Sequence, residues 1–171
     1  MRKQKGFSLI ELLIVVAIIL IIAAIAIPNL LRSRIAANEA SAVGSLRTIN
    51  TAEVTYASTY PANGFTDLKT LGGTPGSSAT SASALLLDNV LGCSGGTTGV
   101  ACPKSGYNFV PTVTVSTGAT GTTPTGTYSF NADPIVADQT GKRDFYTDAS
   151  GVIRYDASGT TSATSASSPL Q

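Results

Sequence analysis

The chain has 171 residues, of which 43% are hydrophobic and 12% are charged, and its formal net charge is +1. This length predicts one domain with at most an appendage, and the near-neutral charge argues against nucleic-acid binding through bulk positive charge. The sequence contains no histidine, which excludes Ser-His-Asp and Cys-His enzymes, His-ligated zinc and Cys-x-x-Cys-His haem attachment. We therefore expect no enzymatic activity, no metal and no cofactor.

The N-terminus combines a basic leader, residues 1–6 (MRKQKG), with an apolar run of sixteen residues, Leu12–Ile27. Residues 7–27 would form a helix of about 32 Å, which matches the ~30 Å hydrocarbon core of a bilayer. The run ends without a small-x-small cleavage site, so we expect a retained membrane-spanning helix with its basic leader in the cytoplasm. Removing the leader changes the formal charge from +1 to −2, because three of the 11 basic residues are lost and all 10 acidic residues stay.

Glu11 places a carboxylate inside this apolar segment, where a charge is costly. It lies four residues after Phe7, so its side chain can reach the membrane interface or be protonated. Alternatively, it awaits a positive partner supplied by another molecule. The local sequence leaves both interpretations open.

The motif Gly6–Glu11 (GFSLIE), with basic residues before it and an apolar run and Pro28 after it, resembles the class III signal of type IV pilins and related pseudopilins, the prepilin-type N-terminal methylation family. The close similarity covers about Lys5–Arg34. The resemblance implies that a prepilin peptidase cleaves between Gly6 and Phe7 and that the new amino group of Phe7 is N-methylated. It also implies that Glu11 pairs with the amino terminus of a neighbouring subunit during filament assembly.

Pro28 predicts a bend in the helix, because proline removes one backbone hydrogen bond and clashes with the preceding turn. Apolar residues recur at helical spacing after it, with Glu39 and Arg47 on the opposite, polar side. The segment after Thr59 (YPANG) is a stop signal. We predict one helix over 7–59, bent at Pro28, whose residues 28–60 are amphipathic; the alternative is an anchor joined to a separate helical linker. The predicted apolar stripe contains Leu31, Ile35, Val43, Leu46, Ile49, Asn50 and Val54.

Residues 61–171 are predicted to form a globular head, in which a small antiparallel sheet packs on the amphipathic helix. The fold class is therefore α+β. Two short helices are expected at 65–71 and 82–91, and the turn signal Asp148–Gly151 predicts a hairpin in DFYTDASGVIRYD. The predicted strands cover 107–110, 112–116, 128–132, 143–147 and 152–155.

Cys93 and Cys102 bracket a glycine-rich loop and predict a disulfide in an extracytoplasmic head, with two reduced thiols as the alternative. The carboxylates of Asp144, Asp148 and Asp156 fit no EF-hand spacing, so ordinary turn carboxylates are favoured over a calcium site. The Ser/Thr-rich segments 116–126 and 160–171 are expected to be exposed, either bare or carrying O-linked sugars.

The resemblance implies a structural subunit of a type IV pilus that serves adhesion, motility or DNA uptake. It would be a single-pass precursor in the inner membrane, with its head outside the cytoplasm, and then part of an extracellular filament. The implied partners are identical subunits, a prepilin peptidase/N-methyltransferase, an inner-membrane assembly platform and, before assembly, lipid. Nucleic acid is expected as a partner only in the sense that the finished filament binds it.

Two other functions remain open. A pseudopilin of a type II secretion system has the same kind of N-terminal leader, motif and apolar helix. Visible surface fibres would distinguish a pilin from it. A membrane-anchored periplasmic enzyme is disfavoured, since the chain has no histidine and no recognisable nucleophile motif.

Overall fold

A computed structural model describes residues 7–115, 126–158 and 162–170. The leader with Gly6 lies outside the described residues, as do Ser116 and most of the first Ser/Thr-rich segment. The chain divides into two compact units, an N-terminal unit (residues 1–34) and a C-terminal unit (residues 35–171).

Helix α1, Leu9–Thr59, contains 51 residues and includes Pro28. The prediction of one long helix is confirmed, and the alternative of a separate helical linker is wrong. The helix ends where predicted: the backbone N–H of Tyr60 still donates to the carbonyl of Tyr56 at 2.8 Å. Pro61 follows, and proline cannot donate the next helical hydrogen bond.

The C-terminal unit contains a six-stranded sheet in which every pair of neighbours is antiparallel and the spatial order follows the chain. This confirms the predicted α+β fold. The predicted hairpin is also present, because β4 and β5 pair across a turn in which Gly151 has φ 73°. The strands are β1 Cys102–Lys104, β2 Tyr107–Val115, β3 Gly126–Pro134, β4 Asp144–Asp148, β5 Ile153–Asp156 and β6 Ser168–Pro169.

Strand β2 runs through Pro111, where the sequence predicted two separate strands. The carbonyl of Pro111 accepts a hydrogen bond from Gly99 at 2.8 Å, on the side away from β3. The missing N–H of the proline faces the same side, so the ladder with β3 loses nothing. Strand β1, which was not predicted, forms a hairpin with β2 through Ser105 and Gly106, both at positive φ.

The helix predicted at 82–91 is wrong. Leu85 has φ 54°, which a right-handed helix does not allow. The segment is instead bonded to helix α2, Leu68–Gly72. The backbone N–H of Leu86 donates a hydrogen bond to the carbonyl of Leu71 at 2.8 Å. Helix α2 itself begins later than predicted, because Asp67 caps its N-terminus by accepting from the Thr70 N–H at 2.9 Å.

The buried stripe of α1 differs from the predicted one. Val54 of the predicted stripe is 60% exposed, whereas Glu39, assigned to the polar side, is 7% exposed. The observed stripe has alternating spacings of three and four residues, as expected for one helical face. Its central line is formed by Glu39, Ala42, Leu46, Ile49, Glu53 and Tyr56, and Ser45, Ala52 and Ala57 are buried beside it.

The C-terminal Ser/Thr-rich segment was expected to be exposed, and for part of residues 162–170 that expectation is wrong. Ala163 is 1% exposed, and its carbonyl accepts a hydrogen bond from the Asn131 amide at 2.7 Å. Strand β6 pairs with β5, and the Leu170 N–H donates to Ile153 at 2.8 Å. Backbone pairing therefore holds this segment against the sheet.

Candidate functional site

The start of α1 is closed by the carboxylate of Glu11. The backbone N–H of Ser8 donates to Glu11 Oε2 at 2.9 Å, and the helix begins at Leu9. This is one half of a capping box, in which a Glu at the third helical position satisfies an N–H that has no partner inside the helix. The Ser-x-x-Glu spacing is the sequence signal for this role, which was not predicted. Glu11 thus caps the first turn of α1 within a single subunit.

The described part of the N-terminal unit presents an apolar surface. Its large apolar side chains from Phe7 to Leu31 are between 45% and 81% exposed. Among the described residues, α1 is the one helix long and apolar enough to cross a membrane, judged by length and composition. An apolar surface of this extent marks a site for membrane or protein contact.

Pro28 lies inside α1, and it cannot donate a hydrogen bond to the carbonyl of Ala24, four residues earlier. One helical hydrogen bond is therefore missing at the end of the apolar segment. A bend at this position remains a prediction.

Glu39 joins α1 to the segment before β4 through a partly buried ion pair, in which the carboxylate is buried and the Arg143 side chain is 39% exposed. Its Oε2 lies 2.7 Å from Arg143 Nη2 and accepts from Arg143 Nε at 2.8 Å. Its Oε1 accepts from the backbone N–H groups of Lys142 and Arg143 at 3.0 and 3.2 Å. The guanidinium also lies over the rings of Phe145 and Tyr155, at 5.5 and 5.6 Å. This cluster positions the helix on the sheet, and both oxygens of the carboxylate accept hydrogen bonds within it.

Glu53 is a second buried carboxyl group of α1, with no exposed surface. Its Oε2 accepts from the Thr66 N–H at 3.1 Å, and its Oε1 has no hydrogen-bond partner within the described residues. Burial raises the pKa of Glu53 to about 8; the Thr66 hydrogen bond opposes this shift, and the nearby charge of Asp67 adds to it. Glu53 is therefore mostly protonated at neutral pH. As a neutral group it holds the loop after α1 through the hydrogen bond from the Thr66 N–H.

The three aspartates considered for calcium do not form a recognised metal cluster. Within the described residues no group of three or more His, Cys, Asp or Glu side chains is placed to hold a metal ion. Asp148 accepts from the Ser150 N–H at 2.9 Å, and Asp156 accepts from the Ser158 N–H at 2.8 Å. These two carboxylates cap turns, which is the ordinary role favoured from the sequence.

Cys93 and Cys102 form a disulfide with a Cα–Cα distance of 5.8 Å, which confirms the predicted bond. The enclosed loop reaches two elements: Gly96 accepts from the Lys69 N–H at 3.1 Å, and Gly99 donates to Pro111. The disulfide therefore holds a loop that lies along α2 and the edge of β2.

Replacing Cys93 and Cys102 together by serine is expected to lower the free energy of unfolding by about 2–3 kcal/mol, the value for a loop this short. Urea unfolding of the detergent-solubilised full chain, followed by tyrosine fluorescence, measures the change. Wild-type protein treated with reductant should shift by a similar amount. An unchanged midpoint in both samples would contradict a stabilising disulfide.

Comparison with known proteins agrees with the N-terminal motif. Residues 1–27 match the family model described as the prokaryotic N-terminal methylation motif. The chain is 67% identical over 39 residues to the type IV wide pilus major component PilA4 of Thermus thermophilus, a stretch that is 23% of this chain and 30% of the relative. It is 45% identical over 54 residues to the type IV major pilin protein PilA of Myxococcus xanthus, which is 32% of this chain and 24% of the relative.

The chain thus spans less than a third of the length of these curated relatives. No solved structure matches it significantly. The predicted resemblance to type IV pilins is confirmed by the motif and by both relatives.

Proposed function

We propose that this chain, whose N-terminal segment is that of a type IV pilin, is a structural subunit of a type IV pilus. The observation that carries the proposal is the methylation motif at residues 1–27, directly followed by a helix whose apolar side chains are exposed. The C-terminal unit has its own buried core, so the exposed apolar helix is free for contacts with lipid and then with other subunits. Burial of the same surface in both settings keeps the apolar free energy nearly constant during transfer.

Processing prepares the N-terminus for assembly. Cleavage between Gly6 and Phe7 removes the three basic residues of the leader and creates an amino group on Phe7, which is then N-methylated. A secondary amine of this kind still carries a positive charge at neutral pH. Glu11, one helical turn away, is the carboxylate that pairs with the amino terminus of a neighbouring subunit.

Pairing of Glu11 sets the register of the filament core. Two charges in a low-dielectric environment attract strongly when paired and are costly when separated. A subunit docked at the wrong height leaves both groups unpaired and is rejected.

The precursor is stored in the inner membrane as a single-pass protein with its head outside the cytoplasm. Its partners are the prepilin peptidase/N-methyltransferase, the assembly platform, lipid and then identical subunits. The role is structural, and no catalytic step is assigned to any residue. The assembled filament would lie on the cell surface and serve adhesion, motility or DNA uptake.

Electron microscopy of cells that lack the chain tests this function. We expect surface fibres to be absent and to return when the full-length chain is supplied, with an epitope tag in the head detected along the fibres. Loss of protein secretion without loss of fibres would instead assign the chain to a type II secretion pseudopilus.

A further inference from the structure

Two arginines, Arg32 and Arg34, follow the apolar segment at the end of the N-terminal unit. Both are exposed, and neither forms an ion pair within the described residues. The next acidic residue along α1 is Glu39, and its carboxylate is already engaged by Arg143. The two guanidinium groups are therefore available for an anionic partner outside the chain.

The spacing along α1 places these groups at a defined depth. Arg32 lies 25 residues after Phe7, which is about 38 Å along a helix. The hydrocarbon core is ~30 Å thick, and the bilayer with its headgroups is ~40–45 Å thick. With Phe7 at the cytoplasmic interface, Ile27 reaches the far edge of the hydrocarbon core, and Arg32 and Arg34 lie in the opposite headgroup layer.

We propose that Arg32 and Arg34 bind the phosphate groups of anionic phospholipids in the outer leaflet while the subunit is stored in the membrane. The inference rests on the proposed function in one respect, that the unassembled subunit spans the bilayer. Guanidinium is suited to this role because its planar donors match two oxygens of a phosphate. The contact fixes the depth of the helix and so keeps Phe7 at the cytoplasmic surface.

Native mass spectrometry of the full-length precursor tests the proposal. The protein is released from detergent micelles containing equal amounts of dioleoyl phosphatidylglycerol and dioleoyl phosphatidylcholine, and the retained lipids are counted. Two basic side chains near the membrane surface contribute a roughly thirtyfold preference for the anionic lipid. The double variant Arg32→Gln/Arg34→Gln is expected to lose this contribution and to keep only the preference due to the three basic residues of the leader, which are the same in both proteins.

Arg47→Gln is the matched control. Arg47 is another exposed arginine of α1, 13 residues beyond Arg34, and its variant should retain the wild-type preference. The proposal is overturned if the double variant retains the anionic lipid as well as the wild type, or if Arg47→Gln loses as much. It is also overturned if millimolar inorganic phosphate displaces the lipid, which would indicate a site for the free anion.

This measurement is independent of filament assembly, because it uses the unassembled precursor. A lipid preference in a chain that builds no fibres would leave this inference standing and remove the proposed function. Fibres without a lipid preference would remove this inference and leave the proposed function standing. Circular dichroism of the double variant should match the wild type, since both side chains are exposed.

Discussion

Replacing Glu11 by glutamine is expected to leave cleavage after Gly6 intact and to reduce the yield of surface fibres at least tenfold. Glutamine can still accept the hydrogen bond that Glu11 receives from the Ser8 N–H at 2.9 Å. It cannot neutralise the amino terminus of a neighbouring subunit. The fibre yield is measured by shearing cells and quantifying the chain in the sheared fraction, while the mass of the membrane-bound form reports cleavage.

Glu11→Ala separates the two roles of this carboxylate. Alanine removes both the charge and the cap, and loss of a cap costs only about 1 kcal/mol. An uncompensated buried charge costs several times more. If Glu11→Gln assembles normally and only Glu11→Ala fails, capping is the important role and the pairing of Glu11 with another subunit is wrong.

Glu53 is expected to make the stability of the C-terminal unit fall as the pH rises from about 4.5 to about 8. Burial raises the pKa of this group to about 8 in the folded protein. In the unfolded chain this carboxyl group ionises near its ordinary pKa of 4.5, so between these pH values the folded state holds a proton that the unfolded state has released. Linkage then lowers the free energy of unfolding by up to about 1.4 kcal/mol per pH unit, and the loss levels off above pH 8.

Glu53→Gln should remove this part of the pH dependence, because glutamine does not titrate. At pH 8 the ionisation penalty that it removes is on the order of 4 kcal/mol, although an unpaired buried amide group offsets part of this gain. Urea unfolding of the detergent-solubilised full chain, followed by tyrosine fluorescence between pH 5 and 9, gives the change in the free energy of unfolding with pH for the wild type and for Glu53→Gln.

Asp138→Asn is the control for Glu53→Gln. Asp138 is exposed and has φ 62°, a conformation that asparagine tolerates as well as aspartate. This variant should keep the wild-type pH slope. Parallel slopes for the wild type and Glu53→Gln would show that Glu53 is not held protonated in the folded protein.

Local signals explain what could be predicted from the sequence. The long apolar run, the stop after Thr59 and the turn at Asp148–Gly151 each depend on neighbouring residues, and all three have the expected structure. The Gly6–Glu11 motif likewise gives the resemblance to type IV pilins from a few adjacent positions, and residues 1–27 match the N-terminal methylation motif. Elements specified within a few residues are the ones that sequence reasoning can recover.

Distant partners explain what was missed. Glu39 was assigned to solvent because a carboxylate in an amphipathic helix normally faces water, but its partner Arg143 lies 104 residues away. Burial of Glu53 likewise depends on the loop that contains Thr66. The 82–91 segment has a helical composition, yet its backbone bonds to α2 and Leu85 adopts positive φ. None of these features has a local signature.

The N-terminus of the fibre subunit tests most directly whether this chain is processed before Phe7 and built into surface fibres. Fibres sheared from cells should be purified, digested, and their N-terminal peptide identified by mass spectrometry. The peptide is expected to begin at Phe7 and to carry one added methyl group on its amino terminus. Fibres whose subunits still begin at Met1, or fibres that lack this chain, would contradict it.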